Sequence, residues 1–281
     1  MNYQLNNVTE VKRKCTNLVG IYTEATVIRR KDSKMYKVLV IASLLLTSCL
    51  GAPQLEGRIV GGEDAEIENY PYQLSFESNG RHNCGASIIT NNWAVSAAHC
   101  VEDRKVEDLR FRAGSSIREQ GGTLHPAEVV IMHPQYNIFT IDCDIAVIKV
   151  SVPFVYGPGV QPITLATVDP AASEVGVVTG WGLTSETGSM STQLQSVQVP
   201  IIDFEECGNI YSYILTKNMI CAGIEDGKGI CSSDSGGPLV VDGKLVGIVS
   251  FSTGCAYAGK PGVYADVPAL LDFVKSNTDY Q

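Results

Sequence analysis

After Arg58 the chain is a succession of short runs rich in Val, Ile, Thr and Tyr, each closed off by Gly, Asn, Asp or Pro. Residues 86–89, 93–96, 127–132, 145–150, 176–179, 244–250 and 262–267 are examples. β-Branched and aromatic side chains suit a pleated, half-buried surface and the intervening residues suit tight turns, so the pattern predicts an all-β barrel or sandwich. Helical periodicity is scarce. Its clearest instance is the tail, where Pro268 in a first turn precedes an apolar stripe of Ala269, Leu270, Leu271, Phe273 and Val274, which predicts a C-terminal helix. The 223 residues from Ile59 onward exceed what one small barrel uses and suit two packed barrels with a cleft between them.

Ahead of this domain, residues 38–52 form an apolar run preceded by Lys34 and Lys37 and ending in small residues. That is the pattern of a secretory signal peptide over 35–52, with 1–34 an upstream segment if translation begins at Met35. The alternative, an internal membrane anchor, needs a longer run than this one, because a spanning helix takes at least ~17 residues. A secreted chain meets an oxidising compartment. Of nine cysteines, Cys15 and Cys49 belong to the precursor segments, leaving seven, of which six can pair. No Cys-x-x-Cys or His-x-x-x-His spacing occurs, so neither a metal nor a cofactor is expected. After Arg58 there are 12 basic and 26 acidic residues, a formal charge of −14, which repels phosphate and argues against a nucleic-acid partner.

Three segments carry candidate chemistry: Ser96-Ala97-Ala98-His99-Cys100, Asp144-Ile145-Ala146-Val147, and Cys231-Ser232-Ser233-Asp234-Ser235-Gly236-Gly237-Pro238. Singly they read as a histidine beside a disulfide, a strand-edge acid and a turn serine. Together they supply a nucleophile, a base and an orienting acid. A serine hydroxyl is a poor nucleophile until an imidazole takes its proton, and a buried carboxylate on the other ring nitrogen fixes the useful tautomer. Glycines beside Ser235 let the backbone turn sharply, so that amide hydrogens converge where an oxyanion would form.

On these residues the chain, from Ile59 to Gln281, resembles the chymotrypsin and trypsin family of serine proteases. Arg58-Ile59-Val60-Gly61-Gly62 resembles the family's activation site, Ala97-Ala98-His99-Cys100 its histidine motif, Asp144-Ile145-Ala146 its aspartate motif, and Asp234-Ser235-Gly236-Gly237-Pro238 its nucleophile motif. Gly180-Trp181-Gly182 is a further marker, and the order His, Asp, Ser is also the family's. The resemblance implies two packed six-stranded antiparallel β-barrels with a C-terminal helix and the active site in the cleft between them. It implies a monomeric, secreted, extracellular endopeptidase acting on protein or peptide substrates, open to protein inhibitors and not inserted in a membrane. His99, Asp144 and Ser235 would be the triad, and the amides of Ser233 and Ser235 the oxyanion donors. The implied bridges are Cys84–Cys100, Cys207–Cys221 and Cys231–Cys255, which leaves Cys143 as a buried free thiol.

A propeptide over 53–58 would be removed by a trypsin-like protease cutting after Arg58, and the new α-amino group of Ile59 would pair with Asp234. Before that cut, His82 matches the position that holds the acid. Gly229 matches the floor of the primary pocket and Gly262 a wall, while Ser250-Phe251-Ser252 would offer backbone to the substrate as an added strand. With no charge at Gly229 a substrate cation is not compensated, so a large apolar or aromatic side chain is expected there and a medium aliphatic one second. Ser233 departs from the family's glycine. If its backbone needs a glycine-like conformation it is strained by ~1–3 kcal/mol, which motivates the rival reading of a non-catalytic homologue that binds through the cleft.

Overall fold

The computed structural model describes residues 61–223 and 228–281, all within one compact unit, Glu56–Gln281. The leader expected over 35–52, the segment 53–58, Arg58 and Ile59 lie outside the described residues. The strands are β1 (Glu63–Asp64), β2 (Gln73–Ser78), β3 (Arg81–Ile88), β4 (Trp93–Ser96), β5 (Leu109–Ala113), β6 (Thr123–Met132), β7 (Ala146–Val150), β8 (Thr164–Leu165), β9 (Val175–Gly180), β10 (Gln195–Ile202), β11 (Met219–Ala222), β12 (Pro238–Val241), β13 (Lys244–Phe251) and β14 (Gly262–Asp266). The seven runs singled out in the sequence fall on these strands to within a residue.

Strands β2-β3-β4-β7-β6-β5 close into one antiparallel barrel. A second barrel closes through β9-β10-β11-β14-β13-β12, with β1 attached to β10 and β8 running parallel to β13. Two six-stranded barrels are therefore present, as the resemblance implied. Closure removes every long strand edge, and the inward side chains fill each barrel. Leu74, Phe76, Phe111 and Ile148 pack the first, with the Phe76 and Phe111 rings 4.6 Å apart; Val178, Val199, Leu239 and Tyr264 pack the second.

Two α-helices complete the fold among the described residues. The first, α1 (Phe204–Tyr211), has no counterpart in the sequence reading, although its start is written there: the Asp203 carboxylate caps it by accepting from the amides of Glu205 and Glu206. The tail helix, α2 (Leu271–Asn277), begins three residues beyond Pro268. The intervening turn is held by the backbone of Asp266, which accepts from Leu270 at 3.1 Å, and by its carboxylate, which accepts from Ala269 at 3.1 Å. From there α2 crosses to the first barrel, where Phe273 and Val274 join the core and the Phe273 ring lies 4.8 Å from that of His133.

The structure bridges Cys84–Cys100, Cys207–Cys221 and Cys231–Cys255. Cys143 is free and buried; burial pushes its thiol up to about 11, the behaviour of a small inert hydrophobe and not of a reactive thiolate.

On the face of β2 opposite Phe76, Glu77 is fully buried, its two carboxylate oxygens each 2.7 Å from an Nε, one of Arg110 and one of Arg112. A buried carboxylate persists only when compensated in this way, and removing one partner leaves the others stranded. Glu77→Leu is expected to cost on the order of 3 kcal/mol, read as a lower midpoint in urea unfolding followed by tryptophan fluorescence; an unchanged midpoint would mean that the guanidiniums find water instead.

Candidate active site

His99 lies on a 3₁₀ turn, Ala98–Cys100, immediately after β4, and is fixed to β3 by the Cys84–Cys100 bridge. Its Nδ1 is 2.7 Å from Asp144 Oδ2, while its backbone N–H donates to Oδ1 at 2.9 Å. Asp144, just before β7, is buried, and the Ser250 hydroxyl donates to its Oδ2 at 2.6 Å. Three donors thus hold the carboxylate, which in turn holds the ring with its proton on Nδ1 and leaves Nε2 free to accept. The group is further clamped across the barrels by Asp142, whose Oδ1 accepts from Thr216 Oγ1 (2.6 Å) and Asn218 Nδ2 (3.0 Å).

Ser235 comes from the second barrel, on the turn before β12. Gly85 N–H of β3 donates to the Ser235 carbonyl at 2.8 Å, and a Cβ added at Gly85 would stand 2.7 Å from Gly237 Cα. At Gly236, where φ is +77°, a Cβ would collide with the Ser96 hydroxyl. Only glycine lets the turn press this closely against Ser96 and Ala97, and so bring Ser235 beside the segment that carries His99. No hydrogen bond joins Ser235 Oγ to His99 Nε2 among the described residues; such bonds are often open without substrate and tighten when it binds. The amides of Ser233 and Ser235 donate to no group among the described residues. Ser233 adopts φ +71°, the left-handed conformation that glycine takes without strain, so the sequence concern about this position has a structural basis.

Asp234, between these two serines, is fully buried, with Oδ1 accepting from Gly182 N (2.9 Å) and Oδ2 from Cys231 N (3.1 Å). Burial pushes its carboxyl up to about 7, partly offset by those two amides. His82 does not hold Asp234. Both its ring nitrogens are engaged elsewhere: Nε2 donates to the Ser233 carbonyl at 3.2 Å and Nδ1 accepts from Ser75 Oγ at 2.9 Å. Burial brings this histidine down to about 4, so it stays neutral and pins the turn.

Beside Ser235 opens a cleft of ≈ 310 Å³ lined by Ile230, Ser232, Val249, Ser250, Phe251, Ser252 and the Cys231–Cys255 bridge, with Glu186 and Gly254 at its edge. Ser250, Phe251 and Ser252, expected at the substrate, are among the residues that line it. Gly229 and Gly262 do not line it. Both are buried: Ile230 Cδ1 lies 2.9 Å from where a Gly262 Cβ would be, and a Gly229 Cβ would meet Ala256 at 3.5 Å. Sequence reasoning passed over Ile230, the hydroxyl role of Ser250, and Glu186; an apolar residue directly before Cys231 was the one available sign of the first. One trio of potential metal ligands, Cys84, His99 and Cys100, has its two sulfurs joined as a disulfide and offers no thiolate.

The family model described as Trypsin matches residues 59–274. The chain is 39% identical over 255 residues to Trypsin alpha of Drosophila erecta, covering 87% of this chain and 99% of that protein. It is 42% identical over 229 residues to Trypsin delta of Drosophila melanogaster (80% and 90%), and 41% identical over 225 residues to the Vitellin-degrading protease of Bombyx mori (78% and 85%). With two closed barrels and a His–Asp pair facing a serine-bearing turn across their junction, this chain belongs to the trypsin family of serine endopeptidases.

Proposed function

We propose that the protein is a secreted, digestive serine endopeptidase, made as a zymogen, that cleaves after apolar residues by way of an acyl-enzyme. The observation that carries this reading is the Asp144–His99 pair held by three donors beside the Ser235 turn. Ser235 Oγ attacks the scissile carbonyl while His99 Nε2 takes its proton, and Asp144 stabilises the imidazolium through Nδ1–H. The oxyanion receives the amides of Ser233 and Ser235. As the C–N bond breaks, His99 returns the proton to the leaving amine; water then attacks the acyl-serine with His99 again as base, freeing the acid product and Ser235. Backbone from Ser250 to Ser252 borders the cleft and suits an extended substrate pairing as an added strand.

Secretion rests on the leader pattern over 35–52, and the likeness to insect trypsins supports a digestive lumen. Cleavage after Arg58 by a trypsin-like protease frees the Ile59 ammonium, which pairs with Asp234. The physical motive is Asp234 itself: its neighbours hold it with two amides, too little to keep it fully ionised at neutral pH. Apolar selectivity follows from the cleft walls. Ile230 and Val249 supply hydrocarbon, the exposed Glu186 is the one charged residue of the described lining, and a cation seated away from it would lose its hydration uncompensated. A large apolar or aromatic side chain remains the first choice, with Ile230 limiting depth.

Three outcomes are expected. The precursor, cut with trypsin and freed of it, hydrolyses chromogenic peptides ending in Phe or Leu and not Arg, and Ser235→Ala abolishes this; residual turnover in that variant would remove Ser235 as nucleophile. Ile230→Ala deepens the cleft and raises the Phe-to-Leu ratio of kcat/KM by about tenfold, and an unchanged ratio would mean that Ile230 does not bound the pocket.

The third concerns pH. Because folding raises the Asp234 pKa from its ordinary value of about 4 to about 7, the uncut precursor binds this proton more tightly folded than unfolded, so stability falls as pH rises across that window. Asp266, raised by burial and by Asp169 to about 6, adds a slope of the same sign. The difference between the Ser235→Ala precursor and its Asp234→Asn derivative in thermal melts from pH 4 to 8 isolates Asp234. Asp234→Asn is expected to flatten the slope before cleavage, and cleavage of the parent to flatten it as well; parallel curves would count against the pairing.

A further inference from the structure

Among the described residues lining the cleft beside Ser235, Glu186 is the one that carries a charge. It stands on the exposed loop between β9 and β10, well apart in sequence from the rest of the lining. Its carboxylate is not free to swing. Tyr257 O–H donates to Oε2, and the Tyr257 ring packs so closely over Gly254, at φ +72°, that a Cβ there would overlap it. Gly254 itself lines the cleft and its carbonyl accepts from Ser252 Oγ at 2.7 Å. A chain of contacts from Ser252 through Gly254 and Tyr257 therefore fixes the Glu186 carboxylate at the mouth of the pocket, while Oε1 has no partner among the described residues.

From this geometry we infer that Glu186 is a specificity-determining residue, which pairs with a lysine or arginine side chain on a substrate residue flanking the one seated in the pocket. The inference rests on the reading of the cleft as the pocket for an apolar substrate residue. A carboxylate at the rim cannot serve the pocket floor, but a long basic side chain from the next residue along an extended peptide can lay its hydrocarbon on the rim and place its charge against Oε1. Tyr257 is a positioning residue: it spends one oxygen to hold the other outward. The pair is solvent-exposed, so the selection is modest and sensitive to salt.

The test uses the activated protein and peptides with Phe before the scissile bond, in which each flanking position in turn carries Lys, Ala or Glu. Lysine at one or more flanking positions is expected to raise kcat/KM roughly two- to fivefold over alanine at low ionic strength, and glutamate to lower it. Each variant's ratio is taken against its own rate on the alanine peptide. In Glu186→Gln the Lys-to-Ala ratio falls to about one, in Glu186→Lys the preference passes to glutamate, and in Tyr257→Phe it shrinks while keeping its sign. Binding of the same peptides to activated Ser235→Ala, by calorimetry, reads the preference without turnover. A Lys-to-Ala ratio near one in the parent protein, or a preference that persists in Glu186→Gln, overturns the inference. Failure to hydrolyse the alanine peptide at all would instead overturn the reading on which it rests.

Discussion

The meeting of Gly85 with Ser235 and Gly237 is the contact on which the site depends. The proposed acid–base pair, Asp144 and His99, belongs to the first barrel and the turn of the proposed nucleophile, Ser235, to the second, so their geometry is only as good as the seam between them. A hydrogen bond from Gly85 N to the Ser235 carbonyl at 2.8 Å, with backbones too close for a side chain, makes that seam a fixed stop instead of an adjustable packing surface. It is reinforced at distance by the 2.5 Å bond from Thr179 Oγ1 to Gln73 Oε1, by Asp142 with Thr216 and Asn218, and by α2 packing back on the first barrel. Rigidity here has a chemical purpose, since a displacement of about 1 Å between reacting groups can cost on the order of a hundredfold in rate.

Three buried carboxylates illustrate how differently one fold treats the same group. Glu77 is neutralised by two guanidiniums and belongs to the architecture. Asp144 is held by the His99 backbone, the His99 ring and the Ser250 hydroxyl, and so is committed to one ring. Asp234 has two amides, and burial outweighs them. An under-compensated acid at the centre of the oxyanion turn makes that turn responsive to one added positive charge, the requirement that the proposed Ile59 ammonium would meet.

Much of this was legible in the sequence because the relevant signals are local. Short β-branched runs between turn residues gave the strands, and the segments around His99, Asp144 and Ser235 marked the candidate site, since each motif depends on its immediate neighbours. What escaped depends on contacts between distant residues. α1 is only eight residues long, with Cys207 and Tyr211 as its buried pair, too short a repeat to stand out, and the Asp203 cap was the sign of its start. Ser250 was read for its backbone, whereas the β-bulge between Val249 and Phe251 aims its hydroxyl at Asp144, 106 residues away. Ile230, packed against Gly262, lines the cleft where a glycine was expected, and Glu186 reaches it from a loop; neither follows from a one-dimensional pattern.

Ser233 shows how such a fold can carry a local conflict. Its left-handed φ of +71° is unfavourable for serine, at a cost of about 1–3 kcal/mol. A turn free to relax would rotate the peptide and turn the Ser233 amide away. This turn is not free. His82 holds the Ser233 carbonyl, Leu183 N–H holds that of Ser232 at 2.8 Å, Gly237 N–H holds that of Asp234 at 2.9 Å, and Cys231 is tied to Cys255. Rotating Ser233 would break its carbonyl's bond to a buried, neutral histidine. The surrounding bonds therefore hold the turn at Ser233 in its left-handed conformation despite the strain.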